Sequence, residues 1–214
     1  MFELRLACCL LFLATFISSG TACAGALLSL GAHWNNFAFE PVNAGDAVAN
    51  FYGVGGELNA GYSLSRIFNA SLWGSYTPAS QYNVEVGKED AVLWAYGGKL
   101  GFNIWDSVYL NFHGGQYTYE LIFNERATEL DDQWSGFGGG LGLGGIFPGK
   151  NKEGYWTLGV SFTQGMMKLV EPEPEADNST RKLDVFAVSL SYIFASKSRG
   201  SGFGFFDDFL KSIF

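Results

Sequence analysis

The sequence predicts an all-β protein: an eight-stranded antiparallel up-and-down transmembrane β-barrel followed by a short C-terminal amphipathic tail. Three observations carry that reading. Apolar and polar residues alternate with period two through nearly the whole chain after residue 25. Long polar connections alternate with short turns, the rhythm of a meander with loops at one end and tight turns at the other. The polar side of the alternation is built from small neutral residues, where a water-facing barrel surface needs charge. Composition agrees with all three. The 214 residues include 29 glycines and are 48% apolar, 17% aromatic and only 16% charged. Glycine is at about twice its ~7% average and charge is well below ~25%. These values exclude a disordered chain and a long-helix protein. A net charge of −8 and a pI near 4.7 exclude a nucleic-acid partner held by phosphate contacts.

Residues 1–24 read as a secretory signal peptide. Arg5 precedes an apolar run from Leu6 to Ile17, and Ala22-Cys23-Ala24 supplies a small-x-small cleavage site. The run has 12 residues, short of the ~20 that a spanning helix needs. Cys8, Cys9 and Cys23 all precede the expected cut, so disulfides and cysteine metal sites are not expected in the mature chain. A lipidated Cys23 is the alternative, but the leucine usual three residues before it is missing. Residues 25–195 form the barrel. The eight strands fall near 26–39, 51–64, 67–77, 91–104, 108–121, 134–147, 155–167 and 183–194. In the first, Leu28, Leu30, Ala32 and Trp34 oppose Ser29, Gly31, His33 and Asn35; in the last, Phe186, Val188, Leu190, Tyr192 and Phe194 oppose Ala187, Ser189 and Ser191. In the fifth, the apolar phase moves by one after Gly114-Gly115, which predicts a bulge there that keeps Tyr117, Tyr119 and Leu121 outward. Long loops are expected at 40–50, 78–90, 122–133 and 168–182, with shorter connections at 65–66, 105–107 and 148–154.

The polar face decides which side meets lipid. It is Gly, Ser, Thr and Asn, with Glu57 and Lys99 the only charges near strand centres. Such a face fits the crowded lumen of a narrow barrel, which places the Leu, Val, Phe, Trp and Tyr face against hydrocarbon. Two aromatic girdles follow. Trp34, Tyr52, Tyr76, Trp94 and Tyr119 are expected near the loop end, and Tyr62, Phe68, Phe102, Phe147, Trp156, Tyr192 and Phe194 near the turn end.

On these features the chain resembles the small eight-stranded bacterial outer-membrane proteins of the OmpA-domain, OmpX and opacity-protein type. The resemblance is architectural and covers about residues 25–194. It implies integral placement in the bacterial outer membrane after signal cleavage, contact with outer-membrane lipid and lipopolysaccharide, and insertion by the barrel-assembly machinery. A last strand ending on Phe194 resembles the signal that machinery reads; Phe214 is a second C-terminal aromatic. Residues 196–214 supply a basic linker and an amphipathic segment, too short for a cell-wall-binding domain.

Three groups of residues are candidate sites. Inside the barrel, His33, Glu57, Asn59, Lys99, Asn111 and His113 form a polar lumen network, with Glu57 expected to contact Lys99 because a buried charge needs a partner. At the loop end, Glu125, Glu129, Asp131, Asp132, Glu171, Glu173 and Glu175 form an acidic rim that either solvates or binds divalent cations bridging to lipopolysaccharide. The girdle aromatics are the third group. No catalytic residue, cofactor or metal site is read from the sequence. Gly140-x-Gly142-x-x-Gly145 matches a dinucleotide fingerprint in letters only, because it lies in a strand. The expected role is structural or surface interaction through the acidic loops, with a plugged lumen. The alternatives are a lipid A-modifying enzyme and a narrow ion-conducting pore.

Overall fold

The computed structural model describes residues 25–41, 49–64, 68–83, 87–105, 107–124, 133–148, 154–171 and 180–195. They form eight strands: β1 (Gly25–Pro41), β2 (Ala49–Ser63), β3 (Phe68–Asn83), β4 (Gly87–Trp105), β5 (Val108–Asn124), β6 (Gln133–Pro148), β7 (Gly154–Glu171) and β8 (Thr180–Ala195). Each pairs antiparallel with its sequence neighbours, and β8 pairs with β1, so the sheet closes into a barrel. The register can be followed around the ring. Gly31 leads through Glu57, Ser75, Ala95, Tyr117, Gly136, Met167 and Arg181 back to Pro41, ten residues further along β1. That stagger is the shear of a closed barrel whose strands tilt by roughly 35–45° and whose bore admits only side chains.

The alternation sets the walls as the sequence predicts. Leu30, Trp34, Leu72, Trp94, Leu141, Val160 and Leu190 are exposed on the outside, whereas Ser29, His33, Asn35, Asn59, Asn111, Thr163 and Ser191 are buried within. Gly97 and Gly115 show why small residues fill the inner face: a Cβ on either would collide with a cross-strand carbonyl, that of Gly114 or of Tyr96. Gly87 opens β4 at a φ of 83°, a left-handed conformation that glycine adopts without steric cost.

Three expectations are corrected. The pairing of Gly97 with Gly115 and of Gly98 with Gly114 is regular, so no bulge occurs at the glycine pair. The register shifts between β4 and β5 lie instead at Asp90/Ala91 and Asn103/Trp105. Without that bulge the phase of β5 runs unbroken through Tyr119, and Tyr117 and Tyr119 point inward, 3% and 5% exposed. Tyr119 is therefore not a girdle residue. The strands also run on into the expected loops. β3 reaches Asn83 and β4 begins at Gly87, so most of the loop placed at 78–90 is paired sheet. Lys88, Glu89, Asp90, Lys168 and Lys182 consequently stand on strands rather than in loops.

Candidate functional site: a two-layered lumen

Inward positions on all eight strands divide the bore into two layers. Around its middle lies the polar layer. Glu57 on β2 and Lys99 on β4 approach to 3.6 Å between Oε2 and Nζ, with side chains 14% and 20% exposed. The other oxygen of Glu57 accepts from Asn59 Nδ2 at 3.3 Å and from Ser191 Oγ at 3.1 Å. Asn59 also donates to Ser29 Oγ at 2.9 Å. Hydrogen bonds to an ionised carboxylate are the strong kind, and three partners offset much of the desolvation that a buried charge suffers.

The histidines and Asn111 do not bond to this pair. His33 Nε2 lies 2.7 Å from Thr77 Oγ1, which also accepts from Asn35 Nδ2 at 2.9 Å. His113 Nε2 lies 2.7 Å from Thr163 Oγ1, and its Nδ1 is 3.3 Å from Asn111 Oδ1. Both rings are thus fixed by neutral hydroxyl or amide partners on the wall. Thr77, Thr163 and Ser191 are members of the network that sequence reasoning missed, since a lone hydroxyl on an alternating strand carries no distinguishing signal. A cavity of about 160 Å³ runs through this layer, lined by Glu57, Lys99, Asn111 and His113 and extending to Leu27, Asn69 and Ile193 near the turn end. Trp73 Nε1 and Asn59 Oδ1 are buried in its wall without a hydrogen-bond partner. Polar space of that size holds several waters.

Above the cavity the bore is apolar. Leu93, Tyr117 and Val185 bound its loop-end side, and Phe37, Phe39, Phe51, Tyr119, Trp134, Met167 and Leu183 fill the barrel beyond. Phe37, Phe51, Met167 and Leu183 are completely buried. The rings interlock: Phe37 stacks on Phe51 at 5.2 Å and Phe39 on Tyr119 at 4.6 Å, and Trp134 meets Phe39 edge-on at 5.2 Å. Arg181 lies over both Phe39 and Trp134, 5.2 and 4.8 Å from the ring centres. Each such aromatic pair contributes about 0.5–1.5 kcal/mol beyond area burial.

On the outer wall, Trp34 packs against Tyr52 and Phe186 at 6.3 and 6.5 Å, and Tyr76 meets Trp94 at 4.5 Å. Toward the turns, Phe68 and Phe102 are 5.1 Å apart, and Tyr192 lies between Trp156 and Phe194 at 5.0 and 4.7 Å. Tyr62 and Phe147 are exposed on the same wall. Glu125, Glu129, Asp131, Asp132, Glu173 and Glu175 lie outside the described residues, as do residues 1–24 and 196–214; Glu171 ends β7.

Residues 6–194 match the family model described as outer membrane protein beta-barrel domain. No curated protein matches the chain at a significant level. Neisserial surface protein A is similar in structure at 11% identity, over 79% of this chain and 97% of that one, with a TM-score of 0.52. The attachment invasion locus protein of Yersinia pestis, solved with the heparin analogue sucrose octasulfate, aligns at 11% identity over 79% of this chain and 99% of that one, with a TM-score of 0.49. The outer membrane protein OprG from Pseudomonas aeruginosa aligns at 12% identity over 83% and 97% of the two chains, with a TM-score of 0.43. At these identities the likeness is one of fold.

Proposed function

Because the chain belongs to the outer membrane protein β-barrel domain family and is an integral protein of the bacterial outer membrane, we propose that it acts as a sealed, non-enzymatic barrel that displays acidic loops at the cell surface. The observation that carries this reading is the aromatic cap. A conducting pore needs a continuous wet path, and here the bore changes from polar cavity to interlocked rings. Eight strands leave little room beside them. Both histidines pair with threonines inside the wall, so a lipid substrate on the outer surface does not reach them.

What remains available to partners is the loop end. Its connections are rich in Asp and Glu, including Glu173 and Glu175 in a Pro-interleaved stretch. Divalent cations are the partners such carboxylates suit first, bridging to anionic lipopolysaccharide, and folding proceeds through the barrel-assembly machinery reading β8 with Phe194 near its end. The test is surface labelling. Glu173→Cys in intact cells should react with a membrane-impermeant maleimide, and the purified barrel should stay silent in planar bilayers. Labelling only after the cells are opened, or steady single-channel conductance, would overturn the reading.

A further inference from the structure

The cavity at the waist of the barrel leaves polar groups in its wall that the Glu57–Lys99 network does not use. Trp73 Nε1, Asn59 Oδ1 and Asn35 Oδ1 have no hydrogen-bond partner among the described residues, and all three side chains line the cavity. Each of the three residues is more than nine-tenths buried. Trp73 and Asn59 are in register on β3 and β2. Lys99 on β4 is diagonal to Trp73, because Trp73 pairs with Gly97 and Ser71 with Lys99. Its 3.6 Å contact with Glu57 Oε2 is ionic and longer than a hydrogen bond. One stretch of wall thus presents an unfilled donor, an unfilled acceptor and an ammonium group.

Water is the simplest occupant, but a buried water needs two to four polar partners wherever it sits. Leu27, Leu93, Ile146 and Ile193 also line the cavity and supply none from their side chains. A wall that mixes serine hydroxyls and asparagine amides with such patches suits a molecule whose hydroxyls are joined by CH groups. Charge narrows the choice further. Glu57 and Lys99 already balance, so an ionic ligand would carry a charge into the bore without a counter-ion. A hydroxyl accepts from Trp73 Nε1 or Lys99 and donates to Asn59 Oδ1 at the same time; a carboxylate only accepts and an ammonium only donates.

The geometry points to a binding site for a small neutral polyol of three to six carbons. It enters from the turn end, where the cavity reaches Leu27, Asn69 and Ile193, and the aromatic cap stops it from passing through. The site does not rest on loop display, and its failure would leave that reading standing.

Solution NMR of the folded protein in lipid nanodiscs, with nitrogen-labelled indole rings, tests it. Glycerol is the probe, and propan-1-ol and acetate are small comparators that lack its hydroxyls or carry a charge. The indole N–H signal of Trp73, identified by its loss in Trp73→Phe, should shift saturably with glycerol. Propan-1-ol and acetate should need about tenfold higher concentrations, the worth of one or two hydrogen bonds. Saturation transfer to the glycerol CH protons should report an affinity about fivefold weaker in Trp73→Phe and in Asn59→Leu. If these variants fail to fold, the three titrations of the parent decide. No saturable shift with glycerol would leave water as the occupant and overturn the proposal. Equal responses to the three probes, tighter binding of acetate, or folded variants that bind glycerol as the parent does would overturn it as well.

Discussion

Glu57 and Lys99 are the residues on which the polar half of the lumen depends. Removing one member of a buried pair leaves an uncompensated charge, which costs about 3–5 kcal/mol, whereas replacing both with neutral groups of similar size is often nearly neutral. Lys99→Ala should therefore lower the urea midpoint of the folded barrel strongly. Glu57→Gln combined with Lys99→Met should recover most of that loss; equal loss in the double variant would mean that the pair is not the stabilising unit. Neighbouring glycines offer a sharper contrast. Gly97→Ala drives a methyl into the Gly114 carbonyl and should cost about 1–3 kcal/mol, whereas a Cβ at Gly98 meets nothing within 4 Å and Gly98→Ala should be neutral or stabilising. The same urea titration reads both. The contact of Glu57 with Lys99 could be anticipated from sequence, because they are the only charges on the inner phase near strand centres. The turn of His33 toward Thr77 and of His113 toward Thr163 could not, since ring orientation depends on cross-strand and cross-lumen distances that one strand does not encode.

At the scale of an element, the eight strands and their facing were legible because period two survives wherever one wall meets hydrocarbon and the other meets packed side chains. Tyr119 exposes the limit of that reasoning. An aromatic residue taken as lipid-facing required a bulge that Gly114 and Gly115 do not make, and the unbroken phase of β5 puts it inside. The same phase, followed past Asn35 on β1, leads to Phe37 and Phe39. An apolar run on an inner face near a loop cannot be told from an interface aromatic unless the strand is known to continue. The cap makes its own prediction. Phe37→Ala should destabilise the barrel by about 3–5 kcal/mol. Phe37→Ala combined with Tyr119→Ala should open the cavity to the loop side, so that bilayer conductance appears where the parent is silent. Conductance in Lys99→Ala but not in the cap variant would place the seal in the polar layer instead.

For the whole molecule, two solvents act on one sheet. Hydrocarbon selects the outer side chains, and a narrow bore selects glycine, serine and asparagine at its waist and rings at its outer end. Loops were expected to take up more of the chain than they do, because charge and proline near Pro78, Lys88 and Lys182 read as connections. The strands keep their pairing through these charged and proline-containing stretches. The claim on which everything else rests is that the apolar wall faces lipid. The direct measurement is paramagnetic broadening of methyl signals from Leu72, Leu141 and Val160 in a lipid bilayer. A spin label carried in the acyl chains should erase these signals and spare that of Leu183, which is buried within the cap, while a water-soluble gadolinium chelate should leave all four intact. Leu72 and Val160 untouched by the acyl-chain label and broadened by the chelate would contradict the account.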